Sequence, residues 1–78
     1  MNNFEDTIRE IIADVLDVYT EDLTDDLGIG DLPEWDSLHH LRILTEIENE
    51  FGIHFSPEIL KNFEDISDII DAVRSEIG

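Results

Sequence analysis

The chain has 78 residues, of which 21 are acidic and only four are basic, giving a formal net charge of −17. Such a surface repels phosphate backbones and anionic lipid headgroups, so composition argues against nucleic-acid binding and membrane insertion. The lack of cysteine excludes a disulfide framework, a thiolate zinc site and a thiol nucleophile from the chain itself. This length allows one domain, residues 1–78, with one small core.

No targeting or membrane-spanning segment is predicted. The first six residues carry no basic side chain and no apolar run, unlike a signal peptide. No stretch approaches the roughly 20 apolar residues of a membrane span. We therefore expect a cytoplasmic protein, and we expect it to be a monomer.

Apolar residues recur with helical period at both ends of the chain. From Phe4 to Tyr19 they share one face while the acidic residues lie outside it, and the same holds from Ile66 to Ile77, with Gly78 as the expected stop. The expected core comprises Ile8, Ile12, Val15, Leu16, Ile47, Phe51, Phe55, Ile66, Ile70 and Val73.

Two further helices are predicted in the middle of the chain. One runs from Ser37 to Phe51, and a short one covers Pro57 to Lys61 with Ser56 as its N-cap. The connection from Thr20 to Asp36 lacks a period but contains apolar residues that can anchor it across the helices. The sequence predicts an all-α fold: a small four-helix bundle, three helices longer and one short, with a long anchored loop between helices 1 and 2.

The middle helix carries apolar residues off its core face. Leu38 and Leu41 point away from the stripe centred on Leu44 and Ile47, which favours a partner-binding surface. The alternative is that the long loop folds over Leu41 and hides it. His40 falls inside the core stripe but at the end of the helix, where we expect a partly buried, hydrogen-bonded histidine.

No catalytic residue or metal site is predicted. Ser37 lacks the flanking glycines of a hydrolase elbow, and the adjacent His39 and His40 lack the spacing of a helical zinc pair. A calcium loop beginning at Asp22 would have Pro33 where glutamate is required. We therefore expect a protein that is not an enzyme.

One segment nevertheless resembles a known modification site. Residues 34–38 read Glu-Trp-Asp-Ser-Leu and open a helix that closes with Glu-Phe-Gly-Ile at residues 50–53. This arrangement, in an acidic, helical, cysteine-free chain, resembles the phosphopantetheine attachment site of the acyl carrier protein family. The resemblance extends over nearly the whole chain.

The resemblance implies a function and its partners. A phosphopantetheinyl transferase, using coenzyme A and a divalent metal, would join 4′-phosphopantetheine to the hydroxyl of Ser37, with Asp36 and Leu38 completing the attachment motif. Acyl intermediates would be carried on this arm as thioesters. The remaining partners would be an acyl- or aminoacyl-loading ligase and downstream synthase or transferase enzymes of fatty acid or secondary metabolite biosynthesis.

Departures from the family pattern indicate a specialised carrier. Trp35 replaces a small residue, and His39 and Arg42 stand where the recognition helix usually carries acids, so Leu38, His39, Leu41 and Arg42 form the expected partner-binding face. An aminoacyl or peptidyl carrier with the same Ser37 arm, or an unmodified helical interaction module, remains an alternative. The cargo and the pathway stay open.

Overall fold

The computed structural model describes residues 3–60 and 63–77. This part of the chain forms four α-helices and no β-strand: α1 (Phe4–Leu16), α2 (Ser37–Phe51), α3 (Pro57–Leu60) and α4 (Ile66–Ile77), with a 3₁₀ turn at Thr20–Asp22. The predicted architecture of three longer helices, one short helix and a long first connection is confirmed. None of the helices formed by these residues has the length and hydropathy needed to cross a bilayer. The predicted end of helix 3 at Lys61 and the stop at Gly78 lie outside the described residues.

Helix α1 is shorter than its apolar period predicts. Its N-cap is Asn3, whose side-chain oxygen accepts a hydrogen bond from the N–H of Asp6 at 2.9 Å. The helix ends at Leu16 because Asp17 adopts a left-handed backbone with φ of 58°. The prediction that it continues to Tyr19 was therefore wrong, and the Tyr19 side chain is exposed.

Capping residues define the end of α2 and the start of α3. Helix α2 terminates at Gly52, which supplies the left-handed conformation, with φ of 65°, that side chains disfavour. Ser56 caps α3, as expected, because its hydroxyl oxygen accepts a hydrogen bond from the N–H of Ile59 at 3.3 Å.

The core is one cluster of buried hydrophobic side chains to which α1, α2, α4 and the long connection all contribute. Two residues of the predicted core differ: Val15 and Phe51 are only partly buried, and they pack against the cluster from its margin. Phe51 is the last residue of α2, where the helix already leaves the interior. The buried members are Ile8, Ile12, Ala13, Leu16, Leu23, Trp35, Ile43, Leu44, Ile47, Phe55, Phe63, Ile66, Ile69, Ile70 and Val73.

Backbone hydrogen bonds fasten the long connection to the start of α4. The N–H of Ile66 donates to the carbonyl of Leu27 at 2.9 Å, and the N–H of Ser67 donates to the carbonyl of Asp25 at 3.1 Å. The first N–H groups of a helix have no acceptor within it. The loop carbonyls supply those acceptors, so the connection and α4 order each other.

Gly28 makes this fastening possible. A Cβ built on Gly28 would lie 1.7 Å from the backbone carbonyl oxygen of Glu64, far inside van der Waals contact. The loop therefore approaches the chain before α4 more closely than any residue with a side chain allows.

Gly28→Ala should destabilise the protein, because the loop or the segment before α4 must move to admit the methyl group. Overpacking of this kind costs about 1–3 kcal/mol, so the Tm should fall by at least about 4 °C. Thermal unfolding followed by circular dichroism measures this, with Glu34→Ala as the control because Glu34 is exposed in the same connection. An unchanged Tm for Gly28→Ala would show that the close approach does not occur.

Candidate functional site: the start of helix α2

Asp36 organises the beginning of α2. Its carboxylate oxygen Oδ1 accepts the backbone N–H of His39 at 2.9 Å, and the Nδ1 of the same histidine ring lies 2.8 Å from it. These contacts, led by the backbone hydrogen bond from His39, hold the pKa of Asp36 below its usual value. The cap therefore keeps its negative charge and fixes the first turn of the helix.

Ser37 is the first residue of α2, and its side chain is exposed to solvent. The adjacent Asp36 provides the cap, so the Ser37 hydroxyl is not required for that role. The N-terminus of a helix favours negative charge, because its first N–H groups lack helical acceptors and the helix dipole is positive there. A phosphodiester on the Ser37 oxygen fits this environment.

Trp35 and His40 connect the loop to α2 from the inside. The indole Nε1 of Trp35 donates to Nδ1 of His40 at 3.0 Å, and only 1% of Trp35 is exposed. Nδ1 must therefore be unprotonated, so His40 is neutral in this arrangement. Burial lowers the pKa of His40. The expectation of a partly buried, hydrogen-bonded His40 is confirmed, but its partner was not predicted.

The outer face of α2 presents an open groove beside Ser37. Leu38 and Leu41, 75% and 59% exposed, line it together with His39, Arg42 and Thr45. The sequence left open whether the long loop covers Leu41. Because Leu41 is exposed, the loop does not cover it. The residues expected to form a partner-binding face thus share one surface.

The charges on this surface differ in their surroundings. The ring of His39 pairs with Asp36. None of the ion pairs within residues 3–60 and 63–77 involves Arg42, which therefore does not pair with Glu46 one turn further along α2. Arg42 therefore contributes a positive charge to this face that no carboxylate of the described residues pairs with.

Metal binding has no structural support in the described ranges. Residues 3–60 and 63–77 contain no group of three or more histidine, aspartate or glutamate side chains arranged to hold an ion.

Comparison with known proteins shows the family of the chain. Residues 6–73 match the phosphopantetheine attachment site family. The chain is 38% identical over 71 residues to an acyl carrier protein of Syntrophus aciditrophicus, covering 90% of this chain and 88% of the relative. It is 28% identical over 74 residues to polyketide-8 synthase acyl carrier protein 2 of Streptomyces avermitilis, covering 95% and 85% respectively. An acyl carrier protein of Buchnera aphidicola is 29% identical over 76 residues, covering 97% and 96%.

The family match and the names of the relatives define the class of protein, a prosthetic-group carrier. The chain belongs to the acyl carrier protein family, and its prosthetic group is 4′-phosphopantetheine.

The Trp35–His40 hydrogen bond should respond to pH. Because the native pKa of His40 is lowered below 6.5, the folded protein binds this proton less readily than the unfolded chain does. The stabilisation is complete above pH 6.5 and is lost as the pH falls through the lowered native pKa. The NMR resonance of the Trp35 indole N–H should therefore shift with an inflection below pH 6.5.

His40→Gln should abolish that inflection. His54→Gln is the matched control, since the exposed His54 ring lies beside Glu48 rather than Trp35, and it should leave the inflection in place. An inflection at or above pH 6.5, or one that survives His40→Gln, would contradict the assignment.

Proposed function

We propose that this chain carries acyl intermediates on a 4′-phosphopantetheine arm attached to Ser37. The observation that supports this most directly is the exposed Ser37 hydroxyl at the first position of α2, beside a cap supplied by Asp36. A transferase can reach the hydroxyl without unfolding the helix, and the helix start accommodates the phosphate. When bound, the arm supplies a thiol, which carries acyl groups as thioesters and which the cysteine-free chain lacks.

The geometry supports roles for the chain's own residues in this proposal. Asp36 holds the first turn through His39, and Leu38 lies exposed next to the attachment serine. Partner enzymes, rather than this chain, perform the acyl chemistry. The names of the relatives favour acyl cargo, one of them from a polyketide synthase, over the aminoacyl or peptidyl cargo that the same arm could hold.

Ser37 should become modified when the protein is incubated with coenzyme A, magnesium and a broad-specificity phosphopantetheinyl transferase. Intact-mass spectrometry should show the addition of one phosphopantetheine to the wild type and none to Ser37→Ala. Ser75→Ala is the control, because Ser75 is also exposed but lies in α4, and it should be modified like the wild type. An unmodified wild type would favour the alternative of a helical interaction module.

We further propose that the surface lined by Leu38, His39, Leu41 and Arg42 selects the partner enzymes. Exposed leucines supply apolar contact area, and Arg42 supplies a positive charge on a chain whose net charge is −17. A partner that recognises an acidic helix offers basic residues, and Arg42 would meet them as a like charge. Such juxtaposition can cost several kcal/mol. The native partners should instead offer an acidic group opposite Arg42.

Arg42→Glu should improve turnover of the modified carrier by a generic fatty-acid ketosynthase, because it replaces repulsion with attraction. Steady-state rates at matched carrier concentration measure the effect, and it should weaken as salt is added. Arg42→Gln separates loss of repulsion from gain of attraction and should give an intermediate rate. Equal rates for all three proteins would show that Arg42 does not select partners.

A further inference from the structure

Ser37 lies between the two partners of a hydrogen bond that joins the long connection to α2. Trp35 precedes the serine in the chain, and His40 follows it in the first turn of the helix. The indole Nε1 of Trp35 donates to Nδ1 of His40 at 3.0 Å, and the two ring centroids lie 6.1 Å apart. This bond therefore spans the attachment serine.

The Trp35 end of the bond is fixed to the connection. Its backbone N–H donates to the carbonyl of Leu32 at 3.0 Å, and its carbonyl accepts from the N–H of Gly30 at 2.9 Å. Only 1% of Trp35 is exposed. Movement of the first turn of α2 away from this residue must therefore break the hydrogen bond to His40.

The Asp36 cap has a different effect from this bond. Its carboxylate accepts the N–H of His39, which belongs to the same turn of the helix. The cap therefore shapes the first turn, whereas the bond between Trp35 and His40 joins that turn to a residue of the core.

We propose that His40 is a positioning residue for attachment of the prosthetic group: by accepting the hydrogen bond from Trp35, it holds Ser37 in the one conformation that a phosphopantetheinyl transferase binds. The inference rests on the proposed attachment at Ser37. In that reaction the Ser37 oxygen bonds to the phosphorus that bears the pantetheine of coenzyme A. The pyrophosphate P–O bond to this phosphorus breaks, the adenosine bisphosphate half leaves, and the serine proton passes through a base of the transferase to solvent.

A fixed first turn strengthens recognition by the transferase. An enzyme that binds one conformation binds a mobile target more weakly, in proportion to the fraction of molecules that hold that conformation. Loss of one ordinary hydrogen bond can change this fraction by about threefold to tenfold. Because Ser37 occupies the same place once it is bound, the effect falls on the KM for the carrier rather than on kcat.

The protonation state of His40 decides whether the bond forms. A protonated imidazole carries hydrogen on both nitrogens and cannot accept the indole N–H. Burial lowers the pKa of His40. Positioning is therefore complete at neutral pH and is lost as the pH falls through this lowered pKa.

Charged groups of the two elements that meet here do not replace Trp35 as the partner of His40. On α2, the Asp36 carboxylate pairs with the His39 ring. In the connection, the Asp31 carboxylate accepts a backbone N–H of the connection itself at 2.8 Å, and Glu34 is exposed. None of the ion pairs of residues 3–60 and 63–77 involves His40.

The test uses the unmodified full chain as the substrate of a broad-specificity phosphopantetheinyl transferase with coenzyme A and magnesium, and intact-mass spectrometry gives the rates. His40→Leu provides no acceptor, so the KM should rise by about threefold to tenfold with kcat unchanged. His40→Asn should keep the KM near that of the wild type, because Oδ1 of asparagine occupies the same place along the side chain as Nδ1 of histidine. Trp35→Phe removes the donor and should reproduce the effect of His40→Leu, which it also replaces if that variant does not fold.

Val73→Ala is the matched control for loss of stability. Val73 is fully buried but belongs to α4, so this substitution should lower the Tm and leave the KM unchanged. A second measurement needs no transferase. In the unmodified protein, the ¹⁵N heteronuclear NOE of the Ser37 amide should fall in His40→Leu and keep its wild-type value in His40→Asn and Val73→Ala.

A pH profile separates positioning from packing. At each pH the KM of His40→Asn is divided by that of the wild type with the same transferase, so that titration of the enzyme and of all other carrier groups cancels. Since the lowered pKa of His40 lies below 6.5, the ratio should be constant above pH 6.5. It should fall by about threefold to tenfold at lower pH, because only the wild type then loses the bond.

The outcomes distinguish the two proposals. Absence of the mass increase in the wild type would overturn attachment at Ser37, and this inference with it. A modified wild type with an unchanged KM in both His40→Leu and Trp35→Phe would overturn only the positioning role. A flat pH ratio, or a KM for Val73→Ala that rises as much as that of His40→Leu, would also overturn it, since packing alone would then account for the effect.

Discussion

The structure depends on the hydrogen bonds that hold the first connection against the start of α4. The N–H groups of Ile66 and Ser67 need acceptors outside their helix, and the loop carbonyls of Leu27 and Asp25 provide them. Backbone groups rather than side chains make these hydrogen bonds. The bonds therefore constrain the path of the loop more than the residue types of the loop do. The same path brings Trp35 into the core and leaves Asp36 at the point where α2 begins. The position of the exposed serine is thus a consequence of contacts made far from it in sequence.

Charge acts mainly at the surface of this protein. Among the described residues no polar or charged side chain is buried, so the core gains no ionic stabilisation. Arg9 joins α1 to the loop, because its guanidinium nitrogen lies 2.6 Å from a carboxylate oxygen of Asp25. Arg74 pairs with Asp71 of its own helix. Its guanidinium carbon also lies 5.6 Å from the centre of the Phe4 ring in α1. Exposed pairs of this kind stabilise a fold only slightly. They still show that two arginines connect elements, whereas Arg42 has no such connection in the described ranges and faces the surface beside Ser37.

Local patterns allowed the helices and the Ser56 cap to be predicted, because helical period and capping chemistry act within a few residues. The errors arose at the end of α1, where a local cap decides, and where tertiary contacts decide. The apolar period includes Tyr19, but a left-handed Asp17 ends α1 at Leu16. The hydrogen bond between Trp35 and His40 joins a loop residue to a helix residue, so no periodicity contains it. Exposure of Leu41 could not be derived either, since it depends on where the loop runs. For the Trp35–His40 hydrogen bond, the signal available in the sequence was an aromatic residue just before the capped helix with a histidine five positions later.

The six residues from Trp35 to His40 combine two requirements that ordinarily conflict. A modification site must be accessible, and yet a carrier gains from a fixed attachment point, since a mobile one would add disorder to an arm that is already flexible. Here, burial of Trp35, its hydrogen bond to His40 and the hydrogen bond from His39 to Asp36 fix the backbone on both sides of Ser37. The hydroxyl itself takes no part in that fixation. The rigidity therefore comes from the neighbours, and the serine remains free for chemistry. The same buried aromatic residue that fixes the backbone before Ser37 also belongs to the core, so the order of this segment and the packing of the interior have one physical cause.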